Sequence, residues 1–145
     1  MSETNDVFTV ENEEGGVCFT FSSTLDNIDK VIIEAIDHLY SISAGIKEHA
    51  FAINLVLREG LTNAIRHGNQ SDNSKTVRLW LGVHEDRLLK LVIEDQGDGF
   101  DWKGRQNAKL EEDAEHGRGI IIMDTYFTRY SYNDKGNILS LEKDL

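Results

Sequence analysis

Arg58-Glu59-Gly60-Leu61-Thr62-Asn63-Ala64-Ile65-Arg66-His67-Gly68-Asn69 is the stretch on which the reading of this chain turns. It closes a pattern that predicts a helix over about 46–67, because Ile46, Ala50, Ile53, Leu57, Leu61 and Ala64 recur at helical spacing. At ~100° per residue that stripe forms one face, and Glu59, Asn63 and Arg66 lie nearly opposite it. Upstream, Ala52, Leu55 and Val56 make the opposite face apolar as well. The helix is therefore expected to be buried on both sides early and to turn polar late, where it lines a site.

On the N-terminal side, residues 1–16 read as a lead-in with a short strand at Val7–Val10 and a turn at Gly15-Gly16. Val17–Phe21 reads as a strand. Ser23 and Asp26 resemble a capping box for a first helix over about 24–41. Its apolar stripe is Leu25, Ile28, Ile32, Ala35 and Leu39, and a second stripe runs through Ile33, Ile36 and Tyr40. That excess implies burial between two layers or, alternatively, a partner interface.

On the C-terminal side, Thr76–His84 and Leu88–Asp95 alternate as strands about a turn at Glu85-Asp86-Arg87. Val77, Leu79, Leu81 and Val83 share one face, as do Leu89, Leu91 and Ile93. Residues 101–116 are polar and acidic without periodicity and read as a loop. A helix over about 117–126 follows, then strands at Thr128–Tyr132 and Asn137–Glu142 about the turn Asn133-Asp134-Lys135-Gly136. Helices come mainly first and hairpins later. This order predicts an α+β two-layer sandwich, a mixed but mostly antiparallel sheet with helices on one face, rather than a βαβ parallel fold.

At 145 residues the chain suits one domain, taken as 17–145 after the lead-in. The formal net charge of -11 argues against direct nucleic-acid or anionic-membrane binding. Cys18 is alone, which excludes a disulfide framework and a cysteine metal site. No apolar run approaches the ~20 residues of a membrane span, and Met1–Asp6 lacks the basic and apolar regions of a secretion signal. A cytoplasmic protein is expected.

Three segments carry the chemistry. Glu59 and Asn63 are one helical turn apart and project into the same space. An Asn amide oxygen suits Mg²⁺, which takes few protein oxygens and completes its octahedron with phosphates and water. The neighbouring carboxylate can then accept a proton from an attacking hydroxyl; alternatively, Glu59 and Arg66 form an ordinary solvated face. Asp95 opens Asp95-Gln96-Gly97-Asp98-Gly99-Phe100, where a carboxylate can accept from the adenine amino group. Guanine has no donor there. Gly97 and Gly99 allow close backbone approach, although a plain strand-ending turn has the same composition. His116-Gly117-Arg118-Gly119 precedes an apolar run, and the free N–H groups of a helix start favour phosphate oxygens, although a flexible hinge has the same Gly-x-Gly composition. Glu111, Glu112, Asp113 and Glu115 would repel a nucleotide, so one of the cations Arg105 and Arg118 is expected to touch phosphate. His67 is read as closing the helix, and Trp80 and Trp102 as core and loop packing. No Gly-x4-Gly-Lys-Ser/Thr occurs.

In this order and spacing, Glu59-x3-Asn63, Asp95-x-Gly97-x-Gly99 and Gly117-x-Gly119 resemble the N, G1 and G2 boxes of the GHKL ATPase superfamily, the Bergerat fold. The resemblance covers about residues 17–144, and the run Arg58–Asn69 is most similar to the anti-sigma-factor serine kinase branch. The resemblance implies an ATP- and Mg²⁺-dependent serine/threonine kinase that binds a sigma factor or another regulatory target. Its substrate would be a small antagonist of the STAS type, and a homodimer is common in this branch. By box position Glu59 would be the base, Asn63 the Mg²⁺ ligand and Asp95 the adenine contact, with Gly97, Gly99, Gly117 and Gly119 cradling the nucleotide. Family members often carry Gly-Thr in the last hairpin, where this chain has Gly136-Asn137. Asn can still hydrogen-bond there. The competing readings are a non-catalytic ATP-responsive module that sequesters a partner, and a domain related to histidine kinases. The latter is disfavoured because residues 1–45 offer one helix with His38 rather than a two-helix phosphoacceptor hairpin.

Overall fold

The computed structural model describes residues 6–99 and 121–145. The strands are β1 (Phe8–Glu13), β2 (Gly16–Ser22), β3 (Thr76–His84), β4 (Leu88–Glu94), β5 (Arg129–Tyr132) and β6 (Ile138–Asp144). Among the described residues they form one sheet in the order β1-β2-β3-β4-β6-β5, antiparallel at every pairing. Short turns make this pattern: Gly15 takes a φ of 76° between β1 and β2, and Glu85 and Asp86 take 53° and 57° between β3 and β4.

Alternation sorts the two faces of the sheet. Val17, Phe19 and Phe21 of β2 are buried on one face with Val77, Leu79 and Leu81 of β3 and Leu89, Leu91 and Ile93 of β4. Helices α1 (Asp26–Ile42) and α2 (Ala50–Asn63) supply the other half of this core through Ile28, Ile32, Leu39, Ile53, Leu57 and Leu61. A helical stretch over 121–126, α3, adds Met123, and Phe127 follows it into the core. The expectations for the loop 101–116, Trp102 and the start of the last helix lie outside the described residues.

Four local expectations are corrected. Ser23 does not cap α1: its hydroxyl has no hydrogen-bond partner, and Leu25, already helical in φ and ψ, is the N-cap. Leu25 is consequently 50% exposed at the helix end instead of joining the buried stripe. The helix predicted from 46 is a 3-10 segment at Ala44–His49 before α2, and it closes in a π-helical turn at Ala64–Gly68. Trp80 lies not in the core but half-buried on the outer sheet face, over Gly16 and Gly82. The second stripe of α1 is not covered by a second layer within the described residues: Ile33 is 61% and Tyr40 39% exposed, and with Phe51 they line a groove between α1 and α2.

Candidate functional site

Gly60 decides where the polar end of α2 sits. A Cβ there would stand 2.6 Å from Ile93 Cδ1 and 3.6 Å from a Leu139 methyl, so the helix backbone rides directly on β4 and β6. On the same helix Glu59 and Asn63 are both half-buried, while Arg66 is exposed. The π-helical turn widens the last turn of the helix. It closes with the Asn69 N–H donating to the Ala64 carbonyl at 2.8 Å.

That turn delivers Gly68 to Asp95. A Cβ on Gly68 would run into the Asp95 carboxylate, and one on Gly97 would overlap the Gly68 carbonyl. Gly97 is thus required for close approach alone, whereas Gly99 has a φ of 84° and also lies against the Lys135 carbonyl. The two glycines that the sequence groups together have different reasons to be glycine.

Asp95 is 8% exposed, and its Oδ1 accepts the Gly97 N–H at 2.8 Å. Burial pushes its carboxyl above the ordinary carboxylate value; the Gly97 N–H opposes this, Glu94 adds to it, and Lys135 and Lys75 oppose it. Tyr132 lies close enough to feel that charge. Burial first, and Asp95 second, hold its phenol above its ordinary value and therefore neutral. The result is a buried carboxylate set among a neutral phenol and two close-packed glycines.

The flanks of Asp95 are tied down by Asn69 and Gln96, to which the sequence assigned no role, and by Asn137, expected to hydrogen-bond in the last hairpin. Asn69, fully buried, accepts the Gln96 N–H on Oδ1 at 2.7 Å and donates from Nδ2 to the Thr76 carbonyl at 3.0 Å. Gln96 returns a contact to β3, accepting the Thr76 N–H at 2.7 Å. Asn137 donates from Nδ2 to the Asp95 carbonyl at 3.2 Å. Gly68-Asn69 closes the run Arg58–Asn69. The signal for these two was the break in the apolar period directly after the helix.

Among the described residues no three His, Cys, Asp or Glu side chains gather to hold a metal. The amide oxygen of Asn63 at the end of α2 fits a magnesium ion that draws its remaining ligands from phosphates and water. Arg105, Gly117, Arg118 and Gly119, expected at the phosphates, lie outside the described residues. No helix among the described residues is long and apolar enough to cross a membrane.

The profile of the family described as a histidine kinase-like ATPase domain matches residues 21–143. The chain is 29% identical over 102 residues to the serine-protein kinase RsbW of Bacillus licheniformis, covering 64% of this chain and 63% of that one. It is 30% identical over 81 residues to the same kinase of Bacillus subtilis, covering 50% of each chain. It is 32% identical over 100 residues to the anti-sigma F factor of Priestia megaterium, covering 64% of this chain and 68% of that one. The matched part thus spans between half and two thirds of the length of the kinases.

Proposed function

The chain belongs to the histidine kinase-like ATPase domain family, and from that premise we propose that it is an ATP-dependent serine/threonine kinase acting as an anti-sigma regulatory factor. Its phosphoryl acceptor is a hydroxyl on a small antagonist protein of the STAS type, and its held target is a sigma factor. The similarity to proteins named serine-protein kinase and anti-sigma F factor supports this reading.

The observation that supports it is the seating of α2 on β4 through Gly60 and of Gly68 against the buried carboxylate of Asp95, which follows β4, with Glu59 and Asn63 one turn apart on that end of the helix. Asp95 accepts the adenine amino group and so selects ATP over GTP. Asn63 offers its amide oxygen to Mg²⁺, which when bound neutralises phosphate charge. Arg105 or Arg118, with the backbone of Gly117 and Gly119, holds the phosphates. Glu59 accepts the proton of the acceptor hydroxyl as its oxygen bonds to the γ-phosphorus and the bond to the β–γ bridging oxygen breaks, ADP leaving with that electron pair. Phosphoryl transfer asks chiefly for positioning and charge neutralisation, which this sparse set provides. The exposed apolar face of α1 supports association with protein, and a homodimer through that face is part of the proposal.

The test incubates the protein with Mg-ATP and a STAS-type partner and seeks phosphoserine or phosphothreonine by mass spectrometry. Glu59→Gln is expected to bind ATP and to transfer about 10²–10⁴-fold more slowly. Normal transfer by Glu59→Gln removes the base assignment. A wild-type protein that binds ATP and transfers to no partner is instead a sequestering module.

A further inference from the structure

One peptide plane next to the site is gripped at both of its polar ends by side chains from different elements. It is the plane joining Asp95 to Gln96. Its carbonyl accepts Asn137 Nδ2 at 3.2 Å, from the β5–β6 hairpin. Its N–H donates to Asn69 Oδ1 at 2.7 Å, from the segment after the π-helical turn. The C=O and N–H of a trans peptide point in opposite directions, so the two asparagines hold the plane from opposite sides.

Each asparagine is itself anchored. Asn69 is fully buried, with its amide nitrogen donating to the Thr76 carbonyl at 3.0 Å. Asn137 Oδ1 accepts Asn133 Nδ2 at 2.8 Å, and its own backbone carbonyl accepts the Asp95 N–H at 3.0 Å. Asn133 Oδ1 accepts three backbone N–H groups of the turn, from Gly136 at 2.9 Å and from Asn137 and Ile138 at 3.0 Å. A side-chain amide locked this way has no rotamer freedom left to lose when a ligand arrives.

We propose that Asn69 and Asn137, with Asn133 behind the latter, are positioning residues that fix the rotation of the Asp95–Gln96 peptide and thereby aim the Asp95 carboxylate at the purine amino group. Rotation of that plane sets the ψ of Asp95. The ladder bond from its N–H fixes the other side of the residue, and the Gly97 N–H fixes the carboxylate. Base discrimination by Asp95 then depends on groups that never touch the base. This rests on Asp95 being the adenine contact.

The experiment compares the affinity of Mg-ATP with that of Mg-purine riboside triphosphate, the same nucleotide without the amino group, by calorimetry. Wild type is expected to prefer ATP by about 10- to 100-fold, the worth of one hydrogen bond to a charged acceptor. Asn137→Asp keeps the Asn133 bond and loses the donation to Asp95, and its ATP preference should fall to within about threefold. Its added charge acts on both triphosphates alike and cancels in the ratio. Asn69→Ser, too short to reach Gln96, should do the same. Asn133→Asp retains the acceptor for the three turn N–H groups, so the hairpin stays capped, and should narrow the preference partway. A merely structural role would weaken both nucleotides equally, and an unchanged ratio in Asn137→Asp overturns the proposal. Should wild type show no preference, Asp95 is not the base contact. Hydrogen exchange at the Gly97 amide then decides on the clamp alone: acceleration in Asn137→Asp upholds it, and no change sinks it.

Discussion

Asp95 sets stability against function within one side chain. Its carboxyl sits above the ordinary value because of burial, so between pH 3.8 and that raised value the folded protein binds more protons than the unfolded chain. The sign follows: stability contributed by Asp95 is lost as pH rises through this window, and the ionised group weighs against the fold at neutral pH. Under the proposed adenine contact, binding has the opposite sign, since the ionised carboxylate accepts the amino group more strongly than the protonated acid, and ATP affinity should fall as pH drops through the same window. Asp95→Asn keeps an oxygen for the Gly97 N–H and sheds the buried charge. It should melt no lower than wild type in the nucleotide-free state while binding ATP about 10- to 100-fold more weakly. Thermal melts and calorimetry at matched pH check both halves, and a large loss of melting temperature would show that the burial cost is offset elsewhere. Gly97→Ala, by contrast, should lose stability. Its methyl meets the Gly68 carbonyl, a backbone atom that cannot swing aside, so denaturant unfolding should show a loss of about 1–3 kcal/mol.

At the scale of elements, α2 is placed by one missing side chain. Gly60→Ala gains helix propensity of about 1 kcal/mol and sets a methyl against Ile93, itself 2% exposed within the core. Overpacking of this kind costs about 1–3 kcal/mol, so the variant should be less stable by urea titration. It should also transfer phosphate more slowly, because Glu59 and Asn63 ride on the displaced backbone. The strands were legible in the sequence because their signal is periodic. Thr76–His84 is the observed β3 to the residue, and β4 ends one residue before the predicted Asp95. Helix ends were less legible, since the 3-10 entry and π-helical exit of α2 have the same apolar spacing as a plain helix over those few residues. The clamp on Asp95 was hidden for another reason. Asn69 and Asn137 act on backbone groups 27 and 42 residues away, and a polar residue in a turn has the same composition whether it grips a functional peptide or faces water. The outward stripe of α1 was visible as an excess, yet only the layer count of the fold shows that Ile33 and Tyr40 stay exposed.

For the whole molecule the governing quantity is the net charge of -11 around a site that takes an anion. Near Asp95 the described cations are Lys75 and Lys135, which partly offset Asp95 and Glu94 without creating a basic funnel. ATP, net negative with or without a bound Mg²⁺, must approach against the mean field and is captured by short-range groups once it arrives. Long-range repulsion is screened within about 10 Å at 0.1 M salt, whereas contacts inside the site are screened much less. Added salt should therefore quicken nucleotide association. Between low and physiological ionic strength we expect the association rate to rise by about two- to fivefold, with the dissociation rate little changed. Stopped-flow fluorescence with a labelled ATP analogue reads both. A rate that falls with salt would mean that local cations such as Arg105 and Arg118 dominate the approach path despite the net charge. Charge reversal at Lys135, exposed in the β5–β6 turn, then separates the cases: under the mean-field account Lys135→Glu slows association modestly and steepens the salt dependence in the same direction.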